Sequence, residues 1–273
     1  MGTVFVAHGV TAERQGLAFR NCIGIDTAVA FLRECKTPLV RLEHLNATGG
    51  DALTVDDSTM AGAQFCRLAR SLGHEVTFFI NPSNVELSMP HWFVVLDSAL
   101  DASARSETVF GGRQFSLRGR RDRKTFRSAV KTAIRQCGTD DEVEEVLREA
   151  LSGLDVRDPQ ISAELLPPSV NELRDLLRCG VVIESHGWSH LEVRTLTDDA
   201  FRRHIAYSRQ WLSAVLGVES TAYAVPFGES VVASHLRENM AIYVLADSNM
   251  PAGCAGDSLL NRVEIPLRRE SLA

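Results

Sequence analysis

Short apolar runs alternate with amphipathic stretches toward both ends of the chain. DALTV (51–55) predicts a strand. STMAGAQFCRLARSLG (58–73) sets Met60, Ala63, Phe65, Leu68, Ala69 and Leu72 near helical spacing and stops at Gly73. HEVTFFI (74–80) predicts the next strand, closed by Asn81-Pro82. Such a strand–helix–strand unit normally means parallel pairing. The pattern resumes with PSVNELRDLLRCG (168–180), a Ser-capped helix ending in glycine, and the strand VVIES (181–185). A long helix follows over 197–217, with aspartates in its first turn where the macrodipole favours them. STAYAV (220–225), a helix through 230–239 and MAIYVLA (240–246) add two strands and a helix. Repeated alternation of this kind predicts an α/β barrel or an open parallel sheet, and the spacing favours the barrel.

Residues 86–167 break this rhythm. A helix-compatible start, MPHWFVVLDSALDASA, leads into the arginine-dense GGRQFSLRGRRDRKTFR and then an acidic helix, TDDEVEEVLREALSG (139–153). We read this segment as a mainly helical insertion capping one end of a single domain that spans 1–273. Its arginines suit either a solvated face paired with the acidic helix or a grip on an anionic ligand, the former being the commoner use of such runs.

Composition narrows the function. With 45% hydrophobic and 23% charged residues the chain reads as an ordinary globular protein. A net charge of −6 argues against nucleic-acid binding. No apolar run approaches the ~20 residues of a membrane helix, and the first residues, MGTVFVAHGV, read as a strand and not as a secretion signal. Six dispersed cysteines without a CxxC pair suit free thiols in a reducing cytoplasm, the expected location. The oligomeric state is not legible.

Candidate chemistry gathers where predicted strands end, as active sites of parallel α/β folds do. His186 and His190 stand four apart, and on a helix that spacing puts two imidazoles on one face, able to share a divalent ion. Asp56 and Asp57 form a tandem whose mutual repulsion calls for a cation or donors, or which caps the following helix. AYAVPFGES (222–230) runs into Pro-Phe-Gly, where backbone amides around Phe227 could face an oxyanion, or which is a plain turn.

Taken in order, Thr54-Val55-Asp56-Asp57-Ser58, His186-Gly187-Trp188-Ser189-His190 and AYAVPFGE resemble the three signatures of the polysaccharide deacetylases, the NodB-homology or carbohydrate esterase 4 family, in the variant with a Phe-Ala-Tyr-Pro-x-Gly third motif and a long insertion. The likeness covers about residues 25–85 and 165–267. It implies a distorted (β/α)7-type barrel. It also implies a metal-dependent hydrolase that removes an N-acyl group, foremost acetyl, from a small-molecule or glycan amino sugar. Asp57, His186 and His190 would hold a divalent metal, zinc first, with cobalt, nickel or manganese as alternatives. Asp56 would be the base toward a metal-activated water. The Phe227 amide would face the oxyanion, and His8, where relatives have Tyr-His, would be an active-site histidine. The family's arginine in the third motif is replaced by Ala224, with Arg262 a candidate substitute. Its late Leu-x-His is missing, since no histidine follows residue 235. His44, His74 and His91 read as ordinary surface or strand-end residues. Without an export signal, a cytoplasmic sugar nucleotide, lipid-linked sugar or aminoglycoside-type glycoside is the expected substrate. Deformylation, cyclic-amide opening or a silent binding protein are the alternatives.

Overall fold

Seven parallel strands close into a barrel in the computed structural model, which describes residues 2–12, 16–156, 158–228, 243–247 and 259–265. In chain order they are β1 (Val4–Ala7), β2 (Ala52–Val55), β3 (Thr77–Ile80), β4 (Val182–Ser185), β5 (Ala222–Ala224), β6 (Tyr243–Asp247) and β7 (Leu259–Glu264). Each pairs with its sequential neighbour, and β1 pairs with both β2 and β7 to close the ring. This is the (β/α)7-type barrel that the alternation and the family likeness led us to expect. The helix expected over 230–239 lies outside the described residues.

The strands are short runs of buried apolar residues because both faces are covered. Val55, Phe78, Ile80 and Ile183 join a cluster with the helices α1 (Ile25–Glu34) and α2 (Met60–Ser71) and with α6 (Val170–Arg178), while Val4, Phe79, Tyr223 and Ala224 join a second. Helix starts follow local chemistry. Ser169 and Glu172 form a capping box at α6, and Thr197 caps α7 (Asp198–Trp211). At α2 the cap is Thr59, whose hydroxyl accepts the Gly62 amide at 3.0 Å. The aspartates before it are therefore free of the capping role that was one reading of them.

The segment between β3 and α6 builds a body of its own. Helices α3 (Trp92–Ala102), α4 (Arg120–Ile134) and α5 (Asp140–Leu154) enclose Leu96, Leu100, Phe126, Val130 and Leu154 with Phe110 and Phe115 of a hairpin. Its strands Glu107–Phe110 and Arg113–Ser116 turn at Gly111-Gly112, so the arginine-dense stretch is split between a hairpin and a helix. The arginines do not form one face. Arg127 pairs with Asp97 of α3, Arg135 pairs with Glu192 beyond β4, and Arg123 donates to the carbonyls of Leu117 and Ser103. Among the described residues no helix is long and apolar enough to cross a membrane.

Candidate metal centre and active site

The carboxyl ends of β1, β2, β4 and β5 open into one polar cavity of about 270 Å³. His8, Asp56, Asp57, His186, His190 and Phe227 all line it, so the structure brings every site residue named from the sequence to one place. Trp92, Phe93, Arg127 and Lys131 reach it from the insertion.

Asp57 follows β2 with φ 61, a left-handed conformation that aspartate tolerates better than most residues. The turn aims its carboxylate at the loop after β4. There His186 and His190 converge from irregular backbone, not from a helix, which corrects the i, i+4 argument made from spacing. The convergence depends on Gly187, at φ +87, where an added Cβ would fall 2.3 Å from Nε2 of the buried His204. Asn81, just past β3, fixes this loop by donating its amide to the carbonyls of His186 (2.7 Å) and Gly187 (3.3 Å).

The three groups form a ligand set. Nε2 of His186 and Nε2 of His190 lie 3.7 and 3.6 Å from Asp57 Oδ1. These separations are too long for hydrogen bonds but fit two ligands each about 2.0–2.2 Å from a shared ion. His186 Nδ1 lies 2.8 Å from the Ala224 carbonyl, and a proton held there leaves the Nε2 lone pair for a ligand. Asp57 Oδ1 is buried without a hydrogen-bond partner, an arrangement that costs stability unless a cation satisfies it. Burial drives His190 down to about 3, so it is a neutral imidazole at pH 7, the form that binds metal. The residues therefore fit a divalent cation held by Asp57, His186 and His190.

Asp56 is wired differently. Arg262 of β7 grips it bidentately, Nη1 to Oδ1 at 2.7 Å and Nη2 to Oδ2 at 2.6 Å, with both side chains buried. Burial alone would raise this carboxyl, but the Arg262 charge, His186, the two Arg262 hydrogen bonds and His8 together hold it below the usual carboxylate range. Arg262 thus occupies the place toward Asp56 that the third-motif position cannot fill, since the Ala224 methyl has no donor.

The Pro226-Phe227-Gly228 turn puts Phe227 at φ 63, a strained conformation for a bulky residue. Its ring stands edge-on to His190 at 4.7 Å, with Lys131 and Arg135 over its face at 5.4 and 5.3 Å. His8 is half-buried at the end of β1.

Two histidines read as ordinary are not on the surface. His74 is buried, and its Nδ1 accepts the Leu39 amide. His91, from the start of the insertion, is buried beside the candidate ligand set. Its Nε2 accepts the Ser58 amide at 3.3 Å, beside Asp57, and its ring stands edge-on to His190 at 5.7 Å. Burial lowers it to about 4, which keeps Nε2 an acceptor at neutral pH. Spacing could not reveal His91, because 95 positions and an inserted body separate it from His186. His44 is exposed, as expected.

Comparisons with known proteins agree with the geometry. The polysaccharide deacetylase family profile matches residues 139–242, which take in both histidines and the third motif. A search of curated protein sequences finds no match. Among solved structures, the chain is similar to the Streptococcus pyogenes deacetylase PplD in complex with acetate (11% identity over 96% of this chain and 91% of that one, TM-score 0.57). It is also similar to IcaB from Ammonifex degensii (13%, 97% and 92%, 0.53) and to the BpsB deacetylase domain from Bordetella bronchiseptica (11%, 96% and 95%, 0.52). At such identities the structures attest the fold. The profile match makes residues 139–242 similar to the polysaccharide deacetylases, and the barrel is the fold those solved deacetylases share.

Proposed function

We propose that the protein is a metal-dependent hydrolase that removes an N-acetyl group from an amino sugar. The observation that carries this reading is the pairing of a His₂Asp set with a second, arginine-held carboxylate in the same cavity. A divalent cation, zinc in our reading, held by Asp57, His186 and His190 would polarise the amide carbonyl and lower the pKa of the attacking water. Asp56, ionised and oriented by Arg262, takes the proton as the water oxygen bonds to the carbonyl carbon. The Phe227 amide, in its strained turn at the cavity wall, would donate to the oxygen on which negative charge develops. When the C–N bond breaks, acetate leaves and the amine needs a proton. His8, in the cavity wall with Asp57, is our candidate to deliver or relay it. A cytoplasmic substrate remains part of the reading, supported by the free thiols of Cys22, Cys35, Cys66, Cys137 and Cys179.

The test is acetate release from N-acetylated amino sugars, free, nucleotide-linked and glycosidic, with zinc or cobalt supplied. Asp56→Asn should abolish turnover while the protein still binds one zinc, measured by elemental analysis. Loss of zinc in that variant would mean the two aspartates have been given the wrong roles. A protein that takes up no metal on titration would sink the enzyme reading altogether.

A further inference from the structure

The cavity has a second chemical face, made by the insertion and the loop after β1. Arg20 and Arg127 both donate from Nε to Asp97, at 2.9 and 2.6 Å. One carboxylate neutralises one guanidinium, so this cluster, with Asp97 and Arg127 buried and Arg20 reaching solvent, carries excess positive charge, and the Nη donors remain for an oxygen ligand. Lys131, one helical turn beyond Arg127 on α4, lines the same cavity. Among the described lining residues the carboxylates are Asp56, engaged by Arg262, Asp57 of the candidate ligand set, and the exposed Glu264. Anchoring the loop does not account for the second arginine. The amides of Leu17 and Ala18 are already held by Asp101 of α3, at 2.7 and 3.1 Å.

We propose that Arg20, Arg127 and Lys131 form a subsite for an anionic group, phosphate or carboxylate, carried by the substrate beside its N-acetyl amino sugar. The inference rests on the deacetylase reading for the substrate's identity, but not for the binding of the anion. Guanidiniums recognise both anions through paired N–H···O bonds, and a lysine adds a point charge. Lining the same cavity as the candidate ligand set, the subsite would hold the charged end of the sugar while its amide meets the reacting groups. Selectivity would then come from the insertion and the chemistry from the barrel.

Binding is tested on chelator-treated protein, so that inorganic phosphate cannot report on a metal. Calorimetric titration should show saturable binding to the wild type, weakened at least tenfold in Arg20→Gln and in Lys131→Gln, with circular dichroism confirming that both fold. No saturable binding to the wild type, or undiminished binding in both variants, overturns the subsite. Turnover by the zinc-loaded enzyme then compares N-acetylglucosamine, its 6-phosphate and N-acetylglucosaminuronic acid. In Arg20→Gln, KM for the charged substrates should rise at least tenfold more than KM for the neutral one, and the better charged substrate names the anion. An equal rise for all three also overturns the subsite. Phosphate binding that follows the variants while no sugar is deacetylated would refute the deacetylase reading and leave the subsite standing.

Discussion

Replacing Arg262 with methionine removes the guanidinium from its buried ion pair with Asp56. Asp56 is 2% exposed and Arg262 3%, and they share two hydrogen bonds of 2.7 and 2.6 Å. Methionine fills similar volume but leaves a carboxylate buried beside Thr54 without its counter-ion. Breaking a buried pair from one side costs about 3–5 kcal/mol. At roughly 2–4 °C per kcal/mol for a large domain, Tm should fall by ~6–20 °C. The double variant Asp56→Asn with Arg262→Met removes the charge as well, and should recover a large part of that loss. The pH dependence has a definite sign. The folded pKa of Asp56 lies below its unfolded value, so the pair contributes fully above the unfolded pKa of about 3.9 and is lost as pH falls through the folded value. Arg262→Met should therefore flatten the wild type's acid destabilisation below that point. Differential scanning calorimetry from pH 3 to pH 7 gives every quantity. A single-variant Tm within 2 °C of the wild type at pH 7 would refute the reasoning, as would a double variant no more stable than the sum of the singles predicts.

Three further outcomes are expected. Zinc at a hundred times its Kd should stabilise the wild type by about 2.7 kcal/mol, and His186→Ala should abolish this shift in a thermal melt; an equal shift in both would place the ion elsewhere. His91→Ala should weaken zinc binding about 10- to 100-fold, as loss of a group that orients metal ligands does, while competition with a chromophoric chelator showing unchanged affinity would reduce His91 to filler. Gly187→Ser should lower stability and zinc affinity together, because a side chain there meets His204 at a left-handed φ; wild-type melting and zinc affinity would show that the loop has another way to close.

The barrel was legible because strand and helix residues carry their own periodicity, as in DALTV and STMAGAQF. The meeting of Asp57, His186 and His190 was legible because Asp57 and His186 follow strands directly and His190 lies in the same loop as His186, at the strand ends where the fold gathers chemistry. What escaped the reading is tertiary. His91 looks like any residue before a helix until the insertion folds back and puts its ring beside His190. Asn81 looks like a strand terminator, although its amide holds the histidine loop. Gly187 looks like a mild replacement until His204, 17 positions on, is seen to fill the space a side chain would need. The arginine-rich stretch hid the reverse error, since Arg123 serves local contacts and Arg127 reaches the cavity together with Arg20, far away in sequence.

Arg262 stands 206 residues after its partner and on the last strand of the ring. During synthesis Asp56 therefore leaves the ribosome long before the group that neutralises it, and a chain interrupted upstream of β7 holds a half-built sheet with an unbalanced charge at its centre. Such long-range pairing is slow to form. Here the carboxylate past β2 meets its guanidinium only when β7 closes the ring against β1, so an unfinished chain should lack both the closed barrel and an oriented Asp56.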